Sequence, residues 1–423
     1  MSENNKLWKH KARLPEYIRG VASGKYTIRQ AAFSTGYTPS WIWQKKEAYL
    51  KYGDAIFTHA NVGKPAQNRI KDDIRDKVVL LYTKDFDGVN FSFFLECLHD
   101  DYDINISYTT LRSIMKDAGI VSPKHHKKKK HEKLHLPRPR RANEGDLLQI
   151  DATPYQWFKW CGDNRYYAMH GGIDDATGKI TALYITENEC LYGYCEVYRQ
   201  TILKYGIPRE NYMDRSAIFA VTPRGKGKLT IQEQLQGLHE HRTQFQRIMD
   251  DLCCRQILAW TPQAKGRVER MWSTLQGRLP QIFKMNNIST IREANKFLEK
   301  WLDTKYNKSK FIRQAQSPEL YWMTGLDSSE LDEILCARFP CKTNANGVFK
   351  FNKQSFTIKG ARYIACKAIE LCISERGLKA CLDGRYYDVE MLDFLSDGID
   401  NPSVVLDNIM YEYFLKDMKK ESA

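Results

Sequence analysis

Three runs of alternating hydrophobicity follow one another in the middle of this chain. They read DLLQIDATPYQWF, RYYAMHGGIDD and KITALYITE, and the turn sequence ATG separates the last two. Alternation with a period of two predicts strands, and turns between successive strands predict antiparallel pairing. The chain is therefore expected to build a sheet around a three-stranded antiparallel meander.

Helix and strand patterns alternate after this meander. A helix over about 191–205 precedes the short strand NYM, and a helix over about 238–252 precedes the strand RQILAW. A long helix is predicted from about Gln263. Three antiparallel strands followed by alternating helices and strands are the order of a ribonuclease-H-like α/β domain. The pattern predicts this domain over residues 145–305.

The predicted α/β domain carries three acidic residues at informative positions. Asp151 lies on the first strand, on the face of Leu147 and Gln149, Asp214 ends the strand NYM, and Glu269 lies near the start of the last helix. Carboxylates on these elements can converge at one edge of the sheet. Oxygen donors without a nearby thiol or imidazole favour Mg²⁺ or Mn²⁺ over zinc. Two such ions, about 4 Å apart, stabilise the attacking and leaving oxygens of an in-line phosphoryl displacement.

Simpler interpretations of the acidic residues stay open. Glu269 stands among basic residues and is equally compatible with an ordinary ion-pair partner on a helix surface. The more conspicuous pair Asp174-Asp175 leads into the hairpin turn at Thr177 and Gly178. Aspartate is favoured in turns because its side chain hydrogen-bonds the local backbone, so this pair is assigned to turn structure.

Residues 1–60 carry the pattern of a helix-turn-helix DNA-binding domain. An apolar stripe at Ile28, Ala31 and Ala32 ends at Gly36, and the sequence TPS at 38–40 offers cap chemistry for a second helix. The second helix of this motif can enter a DNA major groove. A plain helical hairpin is the alternative. The candidate groove-facing residues are Ser40, Trp41, Gln44 and Lys45.

Residues 61–122 are predicted to form a second helical, winged-helix-like DNA-binding domain. Its three helices read IKDDIRDKVVLLYTKDF, FSFFLECLHDDY and SYTTLRSIMKDAGI, with Ser107 as the cap and Gly119 as the stop of the last. The last helix would read DNA through Tyr108, Thr109 and Arg112. The aromatic run of the middle helix is assigned to the core.

An abrupt change of composition marks residues 123–144 as a basic linker. The stretch PKHHKKKKHEKLHLPRPRR contains nine Lys and Arg, four His and one acid. Like charges at this density repel one another, and the two later prolines oppose helix formation, so an extended segment is expected. Contacts of such a segment with DNA phosphates give affinity but little sequence information. The phosphate contacts predicted in this linker are Lys127, Lys128, Lys129, Lys130, Arg138, Arg140 and Arg141. Two more are predicted near the start of the last helix of the α/β domain, at Lys265 and Arg267.

Residues 306–423 are predicted to form a helical connector and a small β-barrel domain. Short β-rich runs are separated by the turns NANG, NKQS, ERG and LDGR, and their close spacing is typical of a small barrel. A polar helical tail, NIMYEYFLKDMKKESA, follows.

Composition restricts the partner and the compartment. The formal net charge of +14 favours a polyanion, either nucleic acid or an anionic membrane surface. No apolar stretch of the roughly 18 residues needed for a membrane span occurs, and the first residues lack an apolar export signal. The eleven cysteines show no metal-ligand spacing, which is typical of reduced thiols. A soluble cytoplasmic protein without a membrane partner is expected.

Four segments of the α/β domain resemble the motifs of a known family. LLQIDATPYQWF, GGIDDATGKITALYITENE, YMDRSAIF and TPQAKGRVERMWSTLQGRL are similar to the motifs of insertion-sequence DDE transposases with a retroviral-integrase-type, ribonuclease-H-like catalytic core, most like the ISNCY family. The match covers about 145–302. The sequence departs from the pattern at Met213, where a serine usually precedes the second acid, and in a long basic insertion that includes TPRGKGKL.

The resemblance implies a function for the whole chain. Asp151, Asp214 and Glu269 would be the catalytic triad and would bind two Mg²⁺ ions, with Mn²⁺ as a substitute. The protein would bind the terminal inverted repeats of its element, cleave at the ends and join the 3′-OH ends to target DNA. Double-stranded DNA, a homodimer or larger assembly and association with the bacterial nucleoid are implied as well. A catalytically inactive DNA-binding regulator and a nuclease without joining activity are the alternatives.

Overall fold

The computed structural model describes residues 3–58, 70–123, 138–220, 242–259, 266–392 and 402–415, with side chains from residue 13 onward. The chain divides into two compact units, residues 1–80 and 81–423. The division into five segments that was inferred from sequence stays a prediction.

The first unit is helical. Helices α1, α2 and α3 span Glu3–Ala22, Ile28–Thr35 and Pro39–Tyr52. Thr27 and Thr38 cap α2 and α3 through their side-chain oxygens, and Gly36 ends α2 at a φ of 75°, which glycine adopts without steric cost. The predicted helix pair is therefore confirmed in position, whereas α1 was missed. The core of these three helices consists of Ile18, Val21, Ala31, Ala32 and Ile42.

Three further helices follow, as the sequence predicted. α4, α5 and α6 span Asp72–Asp85, Phe91–Tyr102 and Tyr108–Asp117. The side chains of Asn90 and Ser107 cap α5 and α6 by accepting from backbone N–H groups. The aromatic run of α5 lies largely in the core, where Phe94 packs edge-on against Tyr82 at 5.1 Å.

One arginine ties α5 to the rest of the second unit. Arg278 forms a two-pronged ion pair with Glu96, and its guanidinium lies 4.9 Å from the ring centres of both Phe93 and Phe311. Asn90 donates from Nδ2 to the carbonyl oxygen of Gly277 at 2.9 Å. Helix α5 and the segment around Gly277 therefore pack against each other.

A five-stranded mixed sheet forms the centre of the second unit. Its strands β1 to β5 span Leu147–Tyr155, Tyr167–Asp174, Ile180–Thr186, Glu210–Met213 and Arg255–Leu258. The spatial order is β3-β2-β1-β4-β5. β1, β2 and β3 pair antiparallel, which confirms the predicted meander, and β4 and β5 add in parallel.

Helices cover both faces of this sheet. They are α7 to α12, spanning Leu191–Lys204, Gln244–Asp251, Gly266–Gln276, Leu279–Met285, Ile291–Thr304 and Ser328–Ile334. One face packs on α9, α10 and α11, and the other on α7, α8 and the C-terminal strands. On the α7 side, a Cβ at Gly193 would lie 2.4 Å from the His170 ring, so α7 reaches the sheet only with glycine there.

A helix lies where the last one was predicted, but it is short and a second helix follows it. α9 ends at Gln276, and α10 begins two residues after Gly277, with Pro280 in its first turn. Proline lacks the backbone N–H and clashes with the preceding turn, so it is tolerated at a helix start but not inside a continuous helix. Gln263 itself lies outside the described residues.

A six-stranded antiparallel sheet forms the C-terminal part. β6 to β11 span Ala337–Lys342, Val348–Phe351, Gln354–Ile358, Ala368–Ser374, Gly377–Leu382 and Arg385–Met391. Their order is β6-β9-β10-β11-β8-β7, and the edge strands β6 and β7 contact each other. The predicted turns lie between these strands. The tail helix α13 spans Pro402–Met410 and continues as a π-turn over Tyr411–Leu415, while the rest of the predicted tail lies outside the described residues.

Two further observations concern the cysteines and the length of the helices. Every cysteine is a free thiol, in line with the predicted reduced state. In the described part of the chain, no helix combines the length and the apolar character needed to cross a membrane.

Candidate active site

The sheet brings Asp151 and Asp214 next to each other. β1 and β4 pair in parallel with Leu147 opposite Glu210 and Gln149 opposite Tyr212. Continuing this register by two residues aligns Asp151 with Asp214, and adjacent strands lie about 4.8 Å apart. Asp151 on β1 and Asp214, the first residue after β4, therefore lie at the same end of this parallel strand pair.

The surroundings of the buried Tyr194 also indicate that Asp151 and Asp214 are close together. Burial raises the pKa of the Tyr194 phenol well above its usual value, and the charges of Glu189, Asp151 and Asp214 raise it further. Tyr194 donates its hydroxyl hydrogen to Glu189 Oε1 at 3.0 Å and packs against Phe219, just beyond Asp214. Tyr194 thus lies beside both aspartates, with Glu189 as a third carboxylate in its surroundings.

Each aspartate is oriented by a hydrogen bond. Asp151 Oδ2 accepts from the indole Nε1 of Trp272 at 3.1 Å, and Asp214 Oδ1 accepts from the backbone N–H of Ser216 at 2.9 Å. Both aspartates are partly buried. These hydrogen bonds hold the two carboxylates in defined directions.

Contacts between α9 and the β1 region show where Glu269 lies along the direction of the strand. Gln276 Nε2 donates to Thr153 Oγ1 at 3.0 Å, Trp272 reaches Asp151, and Arg267 meets Asp175, which is itself bound by Gln149. Because residue numbers rise together along the two elements, α9 runs parallel to β1. With rises of about 1.5 Å per helical and 3.3 Å per strand residue, Glu269 lies within about 4 Å of Asp151 along the strand direction.

The structure pairs the two aspartates but does not gather Glu269 with them. The Glu269 side chain is exposed, and the described residues contain no cluster of three or more His, Cys, Asp or Glu side chains able to hold a metal. Asp151 and Asp214 supply the carboxylate oxygens that Mg²⁺ prefers, so the pair fits a divalent ion. Glu269 joins them only if its side chain turns toward β1.

The predicted turn residues Asp174 and Asp175 differ in role. Asp174 accepts hydrogen bonds from the backbone N–H groups of Gly145 and Thr177, as expected of a turn residue. The carboxylate of Asp175 is fully buried and instead binds Arg138, Arg267 and Gln149. Turn structure therefore explains Asp174, whereas Asp175 anchors a group of arginines.

The predicted phosphate-contacting residues have different surroundings. Arg138 and Arg267 form ion pairs with Asp175, and Arg141 forms one with Glu210. Arg140 donates to backbone oxygens of the β2–β3 turn. Outside the described residues lie Lys127, Lys128, Lys129, Lys130 and Lys265.

The candidate groove readers lie on the helices predicted for them. On α3, Ser40 and Gln44 are exposed, Trp41 stacks on Tyr37 at 4.0 Å, and the Lys45 ammonium lies 5.4 Å from the Trp41 ring. On α6, Tyr108, Thr109 and Arg112 are exposed. Their contact with DNA stays a prediction.

Some residues of this site carried a weak signal in the sequence or none. Trp272 stands three residues after Glu269, on the same helix face, which marks it as a neighbour of the site. Glu189 and Tyr194 carried no signal, because the chain fold alone brings the β3–α7 connection to the ends of β1 and β4.

Comparison with known proteins identifies the family. No family model matches the chain. A Sinorhizobium fredii protein named "Putative transposase y4bF" is 30% identical over 345 residues, covering 81% of this chain and 72% of the relative. The "Transposase for insertion sequence IS1202" of Streptococcus pneumoniae is 30% identical over 317 residues, covering 68% of this chain and 66% of the relative. The chain belongs to this transposase family, and its enzymatic class is that of a polynucleotidyl transferase.

Solved structures with partial similarity come from retroviruses. An intasome of simian T-cell lymphotropic virus in complex with PP2A regulatory subunit B56 gamma matches with 15% identity and a TM-score of 0.30, over 73% of this chain and 95% of that chain. The HTLV-2 integrase catalytic core domain in complex with magnesium, in its dimeric form, matches with 17% identity and a TM-score of 0.27, over 39% and 91%. The family assignment rests on the two transposases and confirms the resemblance inferred from sequence.

Proposed function

We propose that this chain is a DDE transposase that binds the terminal inverted repeats of its insertion sequence, hydrolyses a phosphodiester at the element ends and joins the freed 3′-OH to target DNA. The observation that carries this proposal is the adjacency of Asp151 and Asp214, with Trp272 linking Asp151 to the helix of Glu269. The strand order 3-2-1-4-5 supports a ribonuclease-H-like fold for the catalytic domain. Helix-turn-helix, winged-helix-like and small-barrel assignments for the flanking parts belong to the same proposal.

Asp151, Asp214 and Glu269 would hold the divalent ions, Mg²⁺ or Mn²⁺. Bound there, such ions activate an attacking oxygen and neutralise charge on the leaving oxygen of a phosphodiester. The chain's own residues hold and orient the carboxylates, and the same site would then bind the freed 3′-OH for attack on target DNA. Positioning of this kind replaces an encounter in solution with a reaction inside one complex. Two DNA ends held together imply a dimer or a larger assembly.

The decisive experiment uses the DNA that flanks the gene of this protein. The purified full chain is incubated with a labelled duplex from each flank and with a random duplex, in Mg²⁺, Mn²⁺ or EDTA. We expect preferential binding to the flanks, nicking at the element end and joined product, all chemistry being lost in EDTA. Binding without any product indicates the regulator, and cleavage without joining or end preference indicates a nuclease. Equal binding to flank and random DNA contradicts the helix-turn-helix proposal.

Trp272→Phe tests the orientation of Asp151. Phenylalanine keeps an aromatic ring beside Gly171 but removes the N–H that Asp151 accepts from. A hydrogen bond to a charged group contributes about 1.5 to 3 kcal/mol, so cleavage should fall by roughly tenfold to a hundredfold. The measurement is the cleavage rate as a function of Mg²⁺ concentration, with Trp301→Phe as the control. An unchanged rate and Mg²⁺ dependence would show that the hydrogen bond does not orient Asp151.

A further inference from the structure

Five arginines from three separate segments surround the turn between β2 and β3. Arg138 and Arg140 come from the segment before β1, Arg267 and Arg270 from α9, and Arg313 from the chain after α11. Arg140 donates from Nη1 to the carbonyl oxygens of Asp175 at 3.3 Å and Ala176 at 3.1 Å. The backbone N–H of Arg313 donates to the carbonyl oxygen of Thr177 at 3.0 Å.

Two carboxylates are buried at this turn: Asp174 accepts from Gly145 and Thr177, and Asp175 is shared among the arginines. Asp175 Oδ1 binds Arg267 Nη1 at 2.5 Å, Gln149 Nε2 at 2.6 Å and the guanidinium of Arg138, while Oδ2 accepts from the backbone N–H of Arg141 at 2.8 Å. The negative charge of Asp175 therefore compensates only Arg138 and Arg267, the two arginines whose guanidinium groups contact it. These two arginines build the turn region, because each holds a carboxylate that is cut off from solvent.

Arg140, Arg270 and Arg313 have no such compensation. Within the described residues none of the three forms an ion pair, and Arg270 and Arg313 are exposed. Burial lowers the pKa of the Arg140 guanidinium, the like charges of Arg313 and Arg270 lower it further, and the charges of Asp175 and Asp174 offset this only in part. Three positive charges thus lie close enough to repel one another, and an anion between them would relieve that repulsion.

This arginine group adjoins the candidate active site. Gln149, which binds Asp175, precedes Asp151 by two residues on β1, a distance of about 6.6 Å along the strand. Arg270 follows Glu269 directly on α9. A polyanionic strand placed at the two aspartates would therefore pass the uncompensated arginines.

We propose that Arg140, Arg270 and Arg313 bind backbone phosphates of DNA beside the reacting phosphodiester, one phosphate to each arginine, while Arg138 and Arg267 hold Asp175 and thereby build the site. The identity of the polyanion rests on the proposed transposase reaction. The site refines the phosphate contacts predicted from sequence, because it adds Arg270 and Arg313 and assigns Arg138 and Arg267 to the support of the turn.

The salt dependence of DNA binding tests this site. The full chain carrying Arg140→Gln, Arg270→Gln and Arg313→Gln is titrated with a labelled random duplex in EDTA over a series of salt concentrations. Each phosphate contact contributes about 0.9 to the slope of log K against log salt, so we expect the slope to become shallower by roughly 2.7. Arg292→Gln, an exposed arginine of α11 without an ion pair to a described residue, should leave the slope unchanged.

Stability measurements separate binding from folding. The triple variant should lose only the two hydrogen bonds from Arg140 to turn carbonyls and should stay folded, with a smaller drop in thermal midpoint than Arg138→Gln, which breaks a buried ion pair and should not change the slope comparably. An unchanged slope in a folded triple variant overturns the proposal. If the triple variant unfolds, Arg270→Gln alone is decisive, with an expected slope change of about 0.9. Because these titrations contain no metal, a failure of catalysis in the flank-DNA assay does not affect their outcome.

Discussion

Asparagine in place of Asp151 should reduce cleavage and joining of element-end DNA by about a thousandfold or more, and Asp214→Asn and Glu269→Gln should do the same. A metal-held charge contributes several kcal/mol to the transition state, and about 1.4 kcal/mol is a factor of ten in rate. Asparagine retains an oxygen that can accept from Trp272 or from the Ser216 N–H, so the fold and the binding of end DNA should persist. The measurement is the yield of nicked and joined product at saturating protein.

Glu299→Gln is the matched control for this series. Glu299 is an exposed acid on α11, away from β1 and β4, and the substitution should leave cleavage at the parental level. Full activity in any one triad variant removes that residue from the triad. Glu269 is tested most severely, because its side chain is exposed and does not join the aspartates in the structure.

Asp175→Asn should lower the free energy of unfolding by about 3 to 5 kcal/mol, the range found when one partner of a buried ion pair is removed. The Asp175 side chain is fully buried and the Arg267 side chain only 15% exposed, so the freed guanidiniums cannot regain full hydration. The loss of the carboxylate also increases repulsion within the arginine group. Chemical denaturation of the full chain, followed by a probe in the second compact unit, gives the measurement.

Added sulfate should partly restore the Asp175→Asn variant, because an anion can take up charge between the arginines. Asp250→Asn is the control, since Asp250 pairs with Arg242 on the surface, where the two side chains are 49% and 63% exposed. A surface pair contributes about 0 to 1 kcal/mol, so this variant should unfold near the parent. A parental unfolding free energy for Asp175→Asn would show that the buried ion pairs do not stabilise the turn region.

Local patterns accounted for most of the secondary structure. Alternation identified β1, β2 and β3, and short polar side chains identified the starts of α3 and α6, because strand periodicity and helix capping depend on residues only a few positions apart. The break between α9 and α10 was missed although Pro280 marks it, and α1 was missed altogether. Boundaries of this kind depend on how the neighbouring elements pack as well as on local preference.

The roles of residues that contact distant parts of the chain could not be predicted from local sequence patterns. Asp175 was assigned to a turn because its neighbours in sequence are turn residues, whereas its carboxylate meets Arg138 and Arg267, which lie 37 and 92 positions away in the chain. A charge pattern along the sequence does not show which charges neutralise each other. The predicted DNA contacts could therefore not be divided into compensated and uncompensated arginines before the fold was known.

The sequence by itself determined the class of this protein, the positions of its three candidate carboxylates and the order of strands that carries two of them. The tertiary structure decided that Asp151 and Asp214 are neighbours, that Trp272 connects Asp151 to the helix of Glu269, and that one buried carboxylate serves several arginines. The physical reason is that periodicity and motifs are encoded over short stretches of chain. Strand register, burial and charge compensation arise only when distant stretches come into contact.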